Sequence, residues 1–443
     1  MSIHRALEIE HKVAQIMTQQ EINGVYFDKP KAEQYIEELE SKKLWLYERI
    51  RPHLDLEVIQ HYNTPISKPF NADGSYFHSV PKWFGDNIPD IGGSFSRVEF
   101  AEPDLGSRNK LIAQLLRLGW KPAAFTEKGN PKLTVEGEPC PSLMQIDSEI
   151  GQWIAHWYIY NHRQSQIQGW LNKLRPDGRL TASARTIGTP TFRMTHSIVV
   201  NVPKAAEQVL FGKEMRSLFI PSPGYVMVGH DASGLELHML AHYINDENYI
   251  KELLDGDIHT KNQNDAGLPT RDDAKTFIYA FIYGAGNAKV GSIIKGTAGE
   301  GKRIKDKFLR NNPRLKALID SVRDAALRGY LYGLDRRKVT LRRDKRTNAV
   351  QVHKSPNTLL QTAGAIVMKY SMVYLDEWIR ELGLSSRKII DMHDEGQYEV
   401  LPEDAELHGL LAIHSIEQAG RELGLRLPLA GEYKIGMNWA ETH

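Results

Sequence analysis

The sequence predicts an α+β fold. Helical apolar spacing covers 4–50, 143–174 and 232–380, whereas the apolar runs at 225–230, 388–393 and 397–400 are short enough for strands, the last two joined by a tight turn. With 443 residues, 41% of them hydrophobic and 25% charged, the chain has ample material for a core and for two or three domains or subdomains. No apolar run is long enough to cross a bilayer and the N-terminus lacks a secretory pattern, so a cytoplasmic location is expected. The single cysteine, Cys140, excludes an internal disulfide framework and a cysteine-based zinc site. A net charge of +1 does not by itself mark a polyanion binder, but the cations are clustered, at 302–310 and at 336–346.

The elements follow in order. Leu7, Val13, Ile16 and Met17, then Ala32, Tyr35 and Leu39, mark two helices separated at Gly24 to Asp28. Residues 52–106 are rich in Pro, Gly, Ser and Asn and carry Tyr62, Phe70, Tyr76, Phe77, Trp83 and Phe84, the mark of a functional insertion or a long loop. A helix opens at Gly106 to Lys110 and runs through Leu118, and 180–230 reads as short strands and loops. A final helix at 404–423 precedes a strand-like tail.

The segment Thr270 to Gly284 is the most informative. Thr270 can cap a helix with Asp273 three residues on, Phe277, Ile278, Phe281 and Ile282 supply its apolar face, and Gly284 and Gly286 end it. At about 3.6 residues per turn, Arg271, Lys275 and Tyr279 then share one face. Two cations and a phenol suit a polyphosphate with a sugar behind it. Two further segments each deliver an aspartate at a strand end or turn: Asp231 after Tyr225 to His230, and Asp394 after Lys388 to His393. Side by side, such carboxylates repel unless cations neutralise them. Hard divalent ions with oxygen ligands do so, and Mg²⁺ completes its shell with substrate phosphates. Gly296 to Lys302 fits the glycine-rich pattern of a phosphate loop, but Arg303 stands where Ser or Thr is needed and no strand precedes it.

With these residues placed, the chain resembles the family A (DNA polymerase I-like) polymerases, and within them the replicative enzymes of T-seven-like short-tailed phages. Asp231-Ala-Ser-Gly-Leu-Glu-Leu is similar to the family's first palm motif, Arg271 to Gly284 to its nucleotide-binding fingers helix, and His393-Asp394-Glu395 to its last palm motif. Gly256 to Asn262, Asn357 to Ala365 and the ending Gly436 to His443 agree in order. The resemblance implies a right-hand polymerase with an antiparallel β palm and mainly helical thumb and fingers. The thumb would span 1–175 with the 52–106 insertion inside it, the palm 176–243 and 357–443, and the fingers 244–356.

Carried over by position, Asp231, Asp394 and the Ala232 carbonyl would hold two Mg²⁺ ions, with Mn²⁺ able to substitute. Arg271 and Lys275 would grip the triphosphate with His259 assisting, Lys275 counting among the catalytic groups. Ser233, Gly234, Glu236 and Tyr279 would line the nucleotide, Glu236 and Tyr279 together excluding a 2′-hydroxyl. The resemblance also implies that a tyrosine at 279 tolerates dideoxynucleotides. Arg193, Gln361, His393, Tyr283, Glu395 and His353 would meet primer-template DNA, His353 with its role left open. The implied activity is template-directed addition of dNTPs to a primer 3′-hydroxyl during phage DNA replication, in the cytoplasm of an infected bacterium. A processivity factor at 52–106 and a replicative helicase and primase are the further partners it implies, with no membrane. Phage relatives carry a 3′–5′ exonuclease ahead of the thumb. Here thumb-like sequence begins at residue 3, so a chain without proofreading is expected, either shortened or served by a separate exonuclease polypeptide. The rival reading is a non-catalytic DNA-binding replication accessory protein, against which stand intact Asp231, Asp394, Arg271 and Lys275.

Overall fold

The first helix owes its place to one apolar stripe: Ile9, Val13, Ile16 and Met17 recur at helical spacing and are all buried. The computed structural model describes residues 3–60, 69–84, 98–126, 129–135, 138–146 and 149–443. These form two compact units, one of Met1–Ala32, Gly169–Ala206 and Gly212–His443, the other of Glu33–Gln168 and Glu207–Phe211. In chain order, the elements of the first unit that matter below are α1 (Ile3–Asn23), β1 (Val226–Ala232), α2 (Leu235–Ile244), α3 (Ile258–Ala266), α4 (Arg271–Ile282), α5 (Ser355–Leu382), β2 (Ser386–Met392), β3 (Glu395–Val400), α6 (Ala405–Glu422) and β4 (Gly431–Gly436).

The four strands form one antiparallel sheet in the order β2-β3-β1-β4. β3 is buried along its whole length, as a strand with neighbours on both sides and helices over it must be. α5 and α6 pack together, and α6 covers β1 and β4. That approach needs Gly409, because a Cβ there would lie 2.2 Å from a ring carbon of Tyr433. The predicted helix at 270–284 is α4. Its Phe277 and Phe281 rings meet Phe308 of the helix Ala298–Asn311 at 5.1 and 5.4 Å. The glycine-rich segment at 296–302 is the start of that same helix rather than a phosphate loop. The Thr297 hydroxyl accepts from the Glu300 amide at 3.3 Å, and the Glu300 carboxylate accepts from the Thr297 amide at 2.6 Å.

The sequence reading groups 1–175 as one piece, whereas α1 belongs to the unit that holds the sheet. Its buried face joins the core of α2, α4 and α5, and one polar group on it is decisive. The Glu10 carboxylate accepts from the Lys369 ammonium at 2.8 and 2.7 Å and from Arg337. Lys369 also donates to the Thr186 carbonyl at 2.8 Å, and Arg337 to the fully buried Asp335 at 2.6 Å.

The second unit has its own core of Leu46, Ile50, Leu111, Leu115, Trp120 and Ile154. Within the expected insertion, Glu57–Gln60 pairs antiparallel with Val98–Ala101, exposing Val58, Ile59 and Phe100. Phe84 is half-buried, and the Trp83 side chain and Tyr62 lie outside the described residues.

Removing one member of a buried ion network strands the others. Glu10→Ala should therefore lower the unfolding free energy by about 3–5 kcal/mol. Urea titration reads this, and a loss under about 1 kcal/mol would mean that the network is redundant.

Candidate active site

Strand register builds the site. In β1, Asp231 stands opposite Glu395 of β3 and Glu432 of β4, so three carboxylates line one row across the sheet. β2 and β3 are joined by His393 and Asp394 alone, and the Ala232 amide donates to the Asp394 carbonyl at 3.2 Å. This bond clips the turn to the end of β1 and makes Asp394 the neighbour of Asp231. The turn has a positive φ of 59° at His393, the left-handed region that favours glycine. A histidine there carries a backbone cost of roughly 1–3 kcal/mol, of the kind found where function sets the geometry.

The two aspartates titrate abnormally. Burial, then Asp394, Glu395 and Glu432, push Asp231 up to about 7. Burial, then Glu236, push Asp394 up to about 6. Neither makes an ion pair among the described residues, and no group of three or more His, Cys, Asp or Glu side chains there is arranged to hold a metal. Two half-buried oxygen donors without an ion pair fit a hard cation that takes its other ligands from backbone, water and phosphate.

Glu395, expected at the DNA, is instead enclosed by protein. Its carboxylate accepts from Gln397 at 2.7 Å and from the Trp439 indole, lies 2.9 Å from the His443 ring, and has Arg216 at 3.8 Å. Burial favours its neutral form, but His443 and Arg216 hold it below the usual carboxylate range. It is an anchor for the C-terminal residues, with no face left for a duplex.

From β1 the chain passes through exposed Ser233 and left-handed Gly234 into α2, whose first turn carries Glu236. The Glu236 carboxylate accepts from the Tyr283 hydroxyl at 2.6 Å and from Arg193 at 3.2 Å. The phenol that holds it is thus one helical turn beyond Tyr279. Tyr279 remains in its field: burial raises its hydroxyl, with Glu236 and Asp394 adding to the shift.

The cationic face of α4 exists as predicted. Arg271 makes two bonds to Asp257, at 2.7 and 3.1 Å, and Asp257 also caps α3, accepting from the His259 and Thr260 amides. Arg271 and a side-chain bond from Thr260 hold Asp257 well below the ordinary carboxylate value. His259 is depressed by burial and then by Arg271 and Lys275, which places both cations near one ring. Lys275 is exposed and makes no ion pair among the described residues.

His393 packs edge-on to His196 at 5.4 Å, and Gln361 is half-buried on α5. His353 is exposed on the turn before α5, beside Asp344 and Arg346, and no described contact joins it to the aspartates. Sequence reasoning missed Asn357, whose amide donates to the Tyr283 carbonyl at 3.2 Å. It also missed the buried group under the turn, where Asp391 lies 3.0 Å from Lys388 and 3.5 Å from His196. Asn357 opened a quoted motif without a role, and no spacing rule links His196 to Asp391 across 195 positions.

The profile of DNA polymerase family A matches residues 87–441. The chain belongs to that family. Over 374 residues it is 40% identical to the DNA-directed DNA polymerase of Escherichia phage Phieco32, covering 66% of this chain and 60% of that one. The DNA-directed DNA polymerases of Enterobacteria phage T3 and Escherichia phage T7 are each 30% identical, covering 99% of this chain and 70% of theirs. The chain therefore spans 60 to 70% of the length of these phage polymerases. Among solved structures, the POL domain of Pol1 from M. smegmatis, in complex with DNA primer-template and dNTP, aligns over 98% of this chain and 70% of its own with a TM-score of 0.76. At 19% identity this likeness speaks for the fold. No described helix is long and apolar enough to cross a membrane.

The raised aspartates make a sign-definite prediction. A carboxyl raised in the fold contributes stability that is complete below its unfolded value of about 4 and is lost as pH rises through the folded value. In EDTA the melting temperature should fall between about pH 4 and 7, the range from that unfolded value to the folded values of about 6 and 7. Asp394→Asn should flatten the fall and Mg²⁺ should reverse it. A melting profile insensitive to both changes would remove the carboxylate pair as its cause.

Proposed function

We propose that this chain copies a DNA template, adding dNTPs to a primer 3′-hydroxyl, with Asp231 and Asp394 as the metal-holding carboxylates. The observation that carries the reading is the pair itself: two neighbouring half-buried carboxyls without an ion pair among the described residues, in one unit with a helix face that presents Arg271, Lys275 and Tyr279. The primer-template and dNTP bound in the solved relative of like fold support the same substrates here.

In this reading the sheet is the palm, α3 to the start of α5 the fingers, and residues of the second unit the thumb. Two divalent ions, Mg²⁺ or Mn²⁺, on Asp231, Asp394 and the Ala232 carbonyl would lower the pKa of the attacking hydroxyl and neutralise the leaving pyrophosphate. The chain's own groups do the rest. Lys275, without an ion-pair partner, meets the triphosphate directly. Arg271 exchanges Asp257 for phosphate oxygens, a fork-shaped donor trading one anion for another. His259 adds a ring nitrogen beside them. Ser233 and Gly234 let the backbone come close to the nucleotide at the bend after β1. Glu236, held by Tyr283 and Arg193, stands where a ribose 2′-hydroxyl would need to fit, and Tyr279 closes the sugar pocket. Tyr283 marks the template base, and His393, Arg193 and Gln361 line the primer-template. The exposed Val58, Ile59 and Phe100 suit a processivity partner. A helicase and primase complete the replication setting.

Primer extension with Mg²⁺ and dNTPs tests the reading. Asp231→Ala should abolish extension with the fold intact, and activity surviving that substitution would defeat the assignment. Arg271→Ala should raise the dNTP KM about ten- to a hundredfold, the loss expected for a charge-assisted bond. Glu236→Ala should increase ribonucleotide incorporation, and Tyr279→Phe should reduce use of dideoxynucleotides. Unchanged sugar selectivity in both variants would place the filter elsewhere.

A further inference from the structure

The basic cluster at 336–346 has no part in the site above. The structure gives it an ordered platform. Strands Tyr330–Tyr332 and Lys338–Thr340 pair antiparallel, Tyr332 opposite Lys338 and Tyr330 opposite Thr340. Leu331 and Val339 point inward, buried in a small core with Val322, Ala326 and Leu341. The alternate face turns outward with Tyr330, Tyr332 and Lys338. The Lys338 ammonium lies over the Tyr330 ring at 4.2 Å, and the Arg328 guanidinium lies 5.0 Å from Tyr330 and 5.7 Å from Tyr332. The two rings stand edge to face at 5.5 Å, and Tyr332 is 51% exposed. Arg328, Arg336, Lys338, Arg342, Lys345 and Arg346 are all exposed, and none makes an ion pair among the described residues. The carboxylates of this stretch do not offset them. Asp335 is buried against Arg337, and Asp344 accepts from the amides of its own turn at Arg346 and Thr347.

We propose that this face binds the unpaired template strand before it is copied. The argument is one of charge and shape. An exposed Tyr332 ring, with half-buried Tyr330 edge-on to it and framed by cations without ion pairs, suits a polyanion whose bases are free to stack, which is single-stranded nucleic acid and not a duplex. Continuity selects the template. The chain runs from this hairpin through 342–354 into α5, Val352 and Leu359 pack on the hairpin core, and Asn357 of α5 holds the Tyr283 carbonyl. The strand that reaches Tyr283 still unpaired is the template. The inference rests on the proposed polymerase reading, and on Tyr283 as the template-base position.

The test measures binding by fluorescence anisotropy on DNAs that share one duplex and differ in template overhang, one nucleotide against twelve. The wild type should bind the long overhang more tightly. In the triple variant R328A/Y332A/K338A, most of that gain, about tenfold for the loss of ring stacking and two cations, should vanish. Its salt dependence on the long overhang should fall by about 1.4 logarithmic units per decade for the two cations removed. Affinity for the one-nucleotide overhang, single-nucleotide incorporation and melting temperature should stay unchanged, because all three positions are exposed. Equal loss on both DNAs, or an undiminished gain on the long overhang, would overturn the proposal. So would a loss seen only with a displaced 5′ flap on the other strand, or only with polyglutamate as an acidic-polypeptide probe. Extension by the wild type on the same DNAs is scored separately. Its absence would defeat the polymerase reading, whereas normal extension with overhang-independent binding would defeat the platform alone.

Discussion

The rest of the site depends on one constraint: the antiparallel pairing of β1 with β3 forces Asp231 and Asp394 together, both half removed from water. The clip from the Ala232 amide to the Asp394 carbonyl leaves neither residue room to retreat. Burial raises both pKa values, and like charges add to it, Asp394, Glu395 and Glu432 at Asp231 and Glu236 at Asp394. The protein does not relieve the repulsion with its own cations. It directs Arg216 and His443 to Glu395 and Arg193 to Glu236, and leaves the two aspartates uncompensated.

The cations around the site follow the same economy. Arg271 is held by Asp257, which at the same time caps α3. The arginine is thereby held in one arrangement by two bonds. Deeper in the unit, Glu10, Lys369, Arg337 and Asp335 form a closed network, so buried charges there set which elements dock and with what registry. Lys275 on α4 and the cations of the hairpin around Tyr330 are left exposed and without ion pairs among the described residues.

Much of the site was legible because its signals are local. Asp231 and Asp394 each follow a short apolar run, and Arg271, Lys275 and Tyr279 recur at helical spacing behind a recognisable cap. Such patterns depend on neighbours within a few residues. The misreadings came where a long-range partner decides. Glu395 looked like a DNA contact by its place beside Asp394, but strand alternation and the folded-back Trp439 and His443 bury it. Glu236 pairs directly with Tyr283 because the approach of α2 to α4, and no spacing in either helix, selects which phenol reaches it. The N-terminal helix joined the sheet-bearing unit through Glu10 and Lys369, 359 positions apart.

By itself, then, the sequence determined the family, the α+β class, the positions of the chemical groups and the helix that carries the cations, since apolar periodicity, caps and turn residues are short-range physics. Only the tertiary structure decided which carboxylates remain free and which are consumed, that Arg271 rests on Asp257, and that the basic run beyond 328 is a rigid aromatic face rather than a solvated tail. Those outcomes depend on burial and on partners far along the chain, and both exist only once the strands have paired.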